Sequence, residues 1–297
     1  MKKAIRFALA VCLCSWAVFG IFYAACGFDV SDRKLALTIF EMFYMLMPML
    51  VAGGLQFIDR EPFSSTGLLN FRITRKWLWA PLLPVGLLAA TILISGLFPG
   101  VRLHYSAEQL ISMQSLPEEA AAQVREQMAA MPGWVMILST IFSGIVAGCT
   151  VNALFAFGEE YGWRNYMVSA LRGVKFWKAA LLIGFVWGIW HAPLILLGHN
   201  YPQHPVAGVP MMCVFCILLG TLELYLVLRT HSVIPAAVMH GTINAIFGTT
   251  LFLVQGGSDL TTGTAGLAGF ITMAAAIAVI YLYDRRHGKI MSSEIQL

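Results

Sequence analysis

Charge is what this chain has least of. Only 11% of its 297 residues are Asp, Glu, Lys or Arg, where a soluble globular domain carries about 25%. A water-facing surface needs those side chains, so their scarcity excludes a soluble fold. The sequence also has no HExxH metalloprotease motif, no internal repeat, no low-complexity tract and no stretch that reads as a soluble domain. Cysteine is sparse: Cys12, Cys14, Cys26, Cys149, Cys213 and Cys216 all lie in or beside apolar runs. Cys213 and Cys216 form a CxxC, but inside an apolar run rather than in a loop, so they read as small packed hydrophobes. Apolar residues are abundant, at 59% with a mean hydropathy of +0.76. Lipid is the solvent that suits such a chain.

A transmembrane helix needs roughly 20 mainly apolar residues. Eight stretches qualify, at about 6–26, 35–58, 77–98, 134–157, 177–198, 207–228, 233–254 and 264–283. The expected fold is therefore an all-α polytopic bundle of about eight transmembrane helices. The first stretch follows Lys2, Lys3 and Arg6 like a signal peptide, but it is long and lacks a clear cleavage site, so a retained span is expected. With the N-terminus in the cytoplasm and alternating sides, fifteen Lys and Arg fall in cytoplasmic segments and four (Arg33, Lys34, Arg102, Arg125) in outer ones. That bias supports both termini inside. It also attributes the net charge of +4 to topology, so no nucleic-acid partner is implied. A multi-pass protein of a cell membrane, with a bacterial inner membrane as the expected location, follows. The longest loop, about 99–133, carries helix formers between Ser106 and Met131 and is expected to lie as a helix on the outer surface.

Ionisable residues inside membrane spans are costly and mark functional sites by default. Three places concentrate them. Glu159 and Glu160 follow the fourth span, and Arg164 lies four residues after Glu160, on the same helix face, where the two can pair. Glu159 points about 100° away and stays free. His191 sits in the fifth span in the context Trp187-Gly-Ile-Trp-His-Ala-Pro. His240 and Asn244, four apart in the seventh span, share a face. Small residues link the three places. Gly144 and Gly148 continue toward Glu159, Gly184 and Gly188 toward His191, and Ala236, His240, Asn244 and Gly248 form one stripe. Close helix contacts form along such faces, so the polar groups should converge. On this reading Glu159 lies near the cytoplasmic mouth of its span, with about 10 Å for helix tilt to close before it reaches His191.

A carboxylate beside a histidine can deprotonate water. A second histidine and an amide can stabilise the oxyanion formed when that water attacks a carbonyl. Glutamate and histidine are also zinc ligands, although here they are scattered over three helices.

In order and spacing, Glu159-Glu160-x-x-x-Arg164, then His191, then His240-x-x-x-Asn244 resembles the CPBP family. These are the CAAX-processing and bacteriocin-processing intramembrane endopeptidases, or Abi proteins, related to the Rce1-type CAAX proteases. The resemblance covers about residues 134–250. It implies Glu159 as general base with His191, His240 and Asn244 as the oxyanion site, and Glu160 and Arg164 as support. One departure stands out: the family commonly has Phe four residues before this histidine, and here that position is Trp187. The retained aromatic should preserve the wall of the site.

The resemblance divides the chain into N-terminal helices with the outer loop (1–133), a catalytic helical core (134–255) and a last helix with its tail (256–297). It implies an intramembrane endopeptidase of glutamic type, without cofactor, acting on a peptide or protein substrate at the bilayer. A zinc-dependent peptidase is the alternative mechanism. A non-catalytic scaffold or immunity protein of the same fold is the alternative function. A transporter would call for paired broken helices in repeated halves, which the sequence does not show.

Overall fold

The computed structural model describes residues 1–29, 33–114 and 116–297. Ser115, within the expected surface helix, lies outside them. Lipid leaves every backbone N–H and C=O to be satisfied within the protein, and the apolar runs accordingly fold as helices. The first span is α1 (Lys2–Ala25). The second is made of α2 (Lys34–Tyr44) and α3 (Met47–Ile58), the latter begun by Pro48 in its first turn, where a missing N–H costs nothing. The third is α4 (Trp79–Ser95). The outer loop holds α5 (Glu108–Gln114) and α6 (Glu118–Ala130). Then come α7 (Gly133–Cys149), α8 (Val151–Glu160), a π-helical stretch Tyr161–Met167 and α9 (Val168–Ala170). The fifth span is α10 (Phe176–Trp190) and α11 (Ala192–Leu196), and the sixth is α12 (Pro205–Thr230). The seventh is α13 (Ile234–Ile246) with α14 (Thr249–Leu253), and the last is α15 (Leu267–His287).

All eight apolar stretches are thus helical, and the protein is an all-α polytopic membrane bundle. Six spans, among the described residues, are each long and apolar enough to cross a membrane by themselves. The fourth follows α6 through a bend of 105°, so α6 runs across the end of the bundle. Two of its residues, Ala121 and Met128, are buried against that end. The fifth is shorter because α10 stops at Trp190.

The connections gather at two ends. At one, the N-terminal ammonium donates to Ala170 O at 3.3 Å, Lys76 Nζ to Arg229 O at 3.2 Å, and Ile295 N to Val174 O at 2.8 Å. Lys3 pairs with Glu61 and Arg6 with Asp59 there too. The Asp59 carboxyl is held below its ordinary range by the hydrogen bond from Arg6. At the other end, β1 (Arg102–Leu103) pairs antiparallel with β2 (Val254–Gln255). Asp259 accepts from His204 Nδ1 at 2.6 Å, and Tyr201 donates to Ala265 O at 2.7 Å. Both termini lie at the first end, as an even number of crossings requires.

The glycine faces meet as their spacing predicts. A Cβ at Gly148 would stand 2.5 Å from Thr242 Cα, one at Gly184 2.5 Å from Ile217 Cα, and one at Gly188 2.4 Å from Cys213 Cα. Backbone occupies those positions and cannot yield. Gly148 therefore seats α7 on α13, while Gly184 and Gly188 seat α10 on α12. Cys213 and Cys216 are free and buried in that contact.

Candidate active site

The fourth span does not end near residue 157. It continues through the π-helical stretch to Ala170, which places Glu159 inside the bundle rather than at its mouth, and Arg164 inside rather than in a cytoplasmic segment. The polar run Glu-Glu-Tyr-Gly-Trp-Arg-Asn resembles a helix end by composition, but its glutamates, Tyr161, Trp163 and Arg164 find buried partners. Arg164 Nη1 donates to Glu160 Oε1 at 2.9 Å, and Tyr161 donates to Gln56 Oε1 at 2.8 Å. Trp163 Nε1 donates to Glu159 Oε2 at 3.4 Å. Gly162 passes against Pro48 of α3, and Phe7 of α1 packs edge-on to Trp163 at 5.4 Å. A π-helical turn offsets side chains from the ordinary helix register, a feature common at functional sites.

His191 is fixed by a break in its helix. Pro193 has no N–H to give to Ile189 O, and Leu194 N donates to His191 O at 3.0 Å instead of to Trp190 O. The carbonyl of Trp190 is left over, and it accepts from Trp16 Nε1 at 3.2 Å and Tyr44 OH at 3.1 Å. The carbonyl of Trp187 accepts from His191 Nδ1 at 2.8 Å. A carbonyl only accepts, so Nδ1 carries the proton, and the neutral ring has its lone pair on Nε2.

Trp187 makes more than a wall. Its Nε1 donates to Glu159 Oε2 at 2.5 Å, and the Arg164 guanidinium lies over its ring at 4.1 Å. Its ring stands edge-on to His240 at 5.3 Å. The position that departs from the common Phe therefore supplies a donor that Phe lacks. One residue orients Glu159 by its side chain and His191 by its backbone.

Glu159, His191, His240 and Asn244 line one cavity of about 430 Å³, with Trp187 and Trp190 in its wall. Trp187 bridges Glu159 and His191, and both line this space. Glu160 faces away from this space. It accepts from Arg164 and from His240 Nδ1, the latter at 3.0 Å. Arg164 also pairs with Glu223 of α12. Sequence reasoning passed over Glu223, a fully buried acid in the middle of a 26-residue apolar helix. A lone carboxylate in such a run was itself the signal.

Glu160, Glu223 and His240 place their ligating atoms within 4.8 Å of one another, the set that could hold a metal ion. Arg164 fits that set poorly with a metal: its guanidinium already sits between the two acids, and a dication there would face a fixed cation. Glu159 and His191 are not part of the set.

Residues 141–246 match the family of Type II CAAX prenyl endopeptidase Rce1-like proteins. Over 135 residues the chain is 28% identical to a protein of Methanococcus maripaludis named CAAX prenyl protease 2. The matched part covers 43% of this chain and 46% of that protein, so the chain spans about half the length of the relative it matches. The match contains Glu159, Glu160, Arg164, Trp187, His191, Glu223, His240 and Asn244.

Proposed function

With a helical core of the CPBP/Rce1 type, we propose that this membrane protein is an intramembrane endopeptidase that hydrolyses a peptide bond in a membrane-associated peptide or protein. One observation carries the reading: a carboxylate, a histidine with an outward lone pair, a second histidine and an amide share one cavity, while the neighbouring acid Glu160 is taken up elsewhere.

In the proposed reaction Glu159 accepts a proton from a water held by His191 Nε2, and the resulting hydroxide attacks the scissile carbonyl. The developing oxyanion is met by the Asn244 amide and by His240 Nε2. For Nε2 to donate, His240 must hold both ring protons, and the Glu160 carboxylate at Nδ1 balances that charge. The proton on Glu159 then passes to the departing amine. Two indole donors keep the Glu159 oxygen aimed at the cavity. No metal is needed for these steps, and the Arg164 guanidinium inside the only donor set among the described residues supports a metal-free site.

The test compares Glu159→Gln, His191→Ala and Glu160→Gln in purified protein and in cells, with peptidomics as readout. The reading expects peptide products to vanish with Glu159→Gln and His191→Ala. A cellular phenotype that survives both changes would assign the protein a non-catalytic role. Activity lost to a chelator and restored only by zinc would replace the metal-free mechanism with the zinc-dependent one. A bacterial inner membrane suits the charge bias, and cell fractionation checks it.

A further inference from the structure

We propose that the substrate enters this site from the outer face of the membrane, as an apolar stretch of an exported peptide. The inference rests on the hydrolytic reading above and adds a side and a chemical class to it.

The cavity reaches from Glu159 and His240 to the end of the bundle opposite the two termini. Thr38 and Glu41 lie in α2, which begins at the end of the bundle that holds β1, β2 and Asp259. His199 and Asn200 follow α11 at that same end, close to Tyr201, which bonds to Ala265 there. Asn244 and Phe247 lie beyond His240 in the direction of α14, whose last residues pair with the β1 segment. Thr38 and Asn244 are exposed, whereas the residues on the other side of Glu159 are not. There Trp163, Glu160, Arg164 and Glu223 are wholly buried and Tyr166 nearly so, and they fill the bundle below the cavity floor. The C-terminal tail closes over that end further, with Phe176 N donating to Ser293 O and Ile295 N to Val174 O. The cavity thus has a mouth at one end and a plug at the other.

Charge assigns the ends to the two sides. Once Arg164 is counted as interior, fourteen Lys and Arg remain at the plugged end, against four at the end with the mouth. The positive-inside rule then makes the plugged end cytoplasmic and the mouth external. A tail presented in the cytoplasm would meet the plug.

The lining gives the class. Met42, Met45, Phe155, Leu194 and Met212 line the space, and apolar side chains beside the scissile bond would fill it. At the mouth Glu41 and His199, 2.9 Å apart, hold each other.

The experiment places single new cysteines at Thr38 (T38C) and at Ser292 (S292C), an exposed position in the C-terminal tail. Intact cells are treated with a membrane-impermeant maleimide, with the unaltered protein as background. The proposal expects T38C to label in intact cells and S292C only after permeabilisation. T38C labelled only after permeabilisation, or in neither condition, would overturn it. In parallel, a membrane-impermeant peptide of apolar residues is offered to right-side-out and inverted vesicles. Cleavage confined to right-side-out vesicles supports the proposal. Cleavage confined to inverted vesicles overturns the outer entry while leaving hydrolysis intact. Labelling from outside without cleavage in any vesicle, lysed or sealed, overturns the hydrolytic reading instead.

Discussion

Glu159 and Glu160 are neighbours in sequence and belong to different regions of the molecule. The Glu159 region is a cavity: its carboxylate is held by indole donors and faces space shared with His191, His240 and Asn244. The Glu160 region is a sealed ionic cluster, in which Arg164 joins two acids from different helices and His240 links the cluster to the cavity. Both regions contain buried carboxylates, so burial alone does not mark a reactive group. What differs is the partner. Arg164 and His240 hold Glu160 through one oxygen, Oε1, while neutral indole donors hold Glu159 through Oε2. The two regions should accordingly fail in different ways, one in rate and the other in stability.

The widest separation is expected from Glu159→Gln. It removes the proposed base with little change of shape and should cut kcat by about 10²–10⁴, with the thermal midpoint in detergent nearly unchanged. A large loss of stability instead would assign Glu159 to the structural cluster. Arg164→Ala should show the reverse. It leaves two acids buried without their cation, a loss of roughly 3–5 kcal/mol, read as a lower unfolding midpoint. Pairing it with Glu223→Gln should recover part of that loss, because one stranded charge is removed. Asn244→Ala, on the cavity side, should lower kcat by about 10²–10³ through the oxyanion and leave stability alone.

A smaller effect is expected at Trp187. Trp187→Phe keeps the ring under Arg164 but deletes one donor to a carboxylate, worth about 1.5–3 kcal/mol and so roughly 10–100-fold in rate. If kcat/KM is unchanged, the indole bond does not orient Glu159. The smallest effect belongs to neither region. Arg125 in α6 bridges Glu108 and Glu118, each at 3.0 Å, all of them exposed. It holds the Glu108 carboxyl below its usual range, so whatever the pair contributes is present near neutral pH and fades as pH falls through that lowered range. Arg125→Ala should leave both rate and midpoint within error.

The helices of the bundle are readable from apolar run length alone, because in lipid a long apolar run has no other way to satisfy its backbone. The Glu160–Arg164 pair is readable because both partners sit on one helix turn, and the convergence of Glu159, His191, His240 and Asn244 because small residues mark the packed faces. Other features were hidden because they depend on partners distant in sequence. Glu223 meets Arg164 across 59 positions. The fourth span runs on to Ala170 only because Gln56, Trp187 and Glu223 are there to receive its polar side chains. The depth assigned to Glu159 was wrong for that reason: composition cannot distinguish a wet helix end from a satisfied interior one.

The carbonyl of Trp190, freed by the break before Pro193, has a consequence for how the protein is made. Its donor Tyr44 leaves the ribosome 146 residues earlier. At about 5–20 residues per second, that side chain waits roughly 7–30 s in the bilayer for its acceptor. Until the fifth span arrives, Tyr44 and Trp16 have no such carbonyl to hold, and until they dock, the broken helix carrying His191 has nothing to fix its end. The early spans, which carry no motif, thus time the assembly of the site: a nascent or truncated chain holds the polar residues without their geometry, and the pocket becomes organised only when the newest helices reach the oldest.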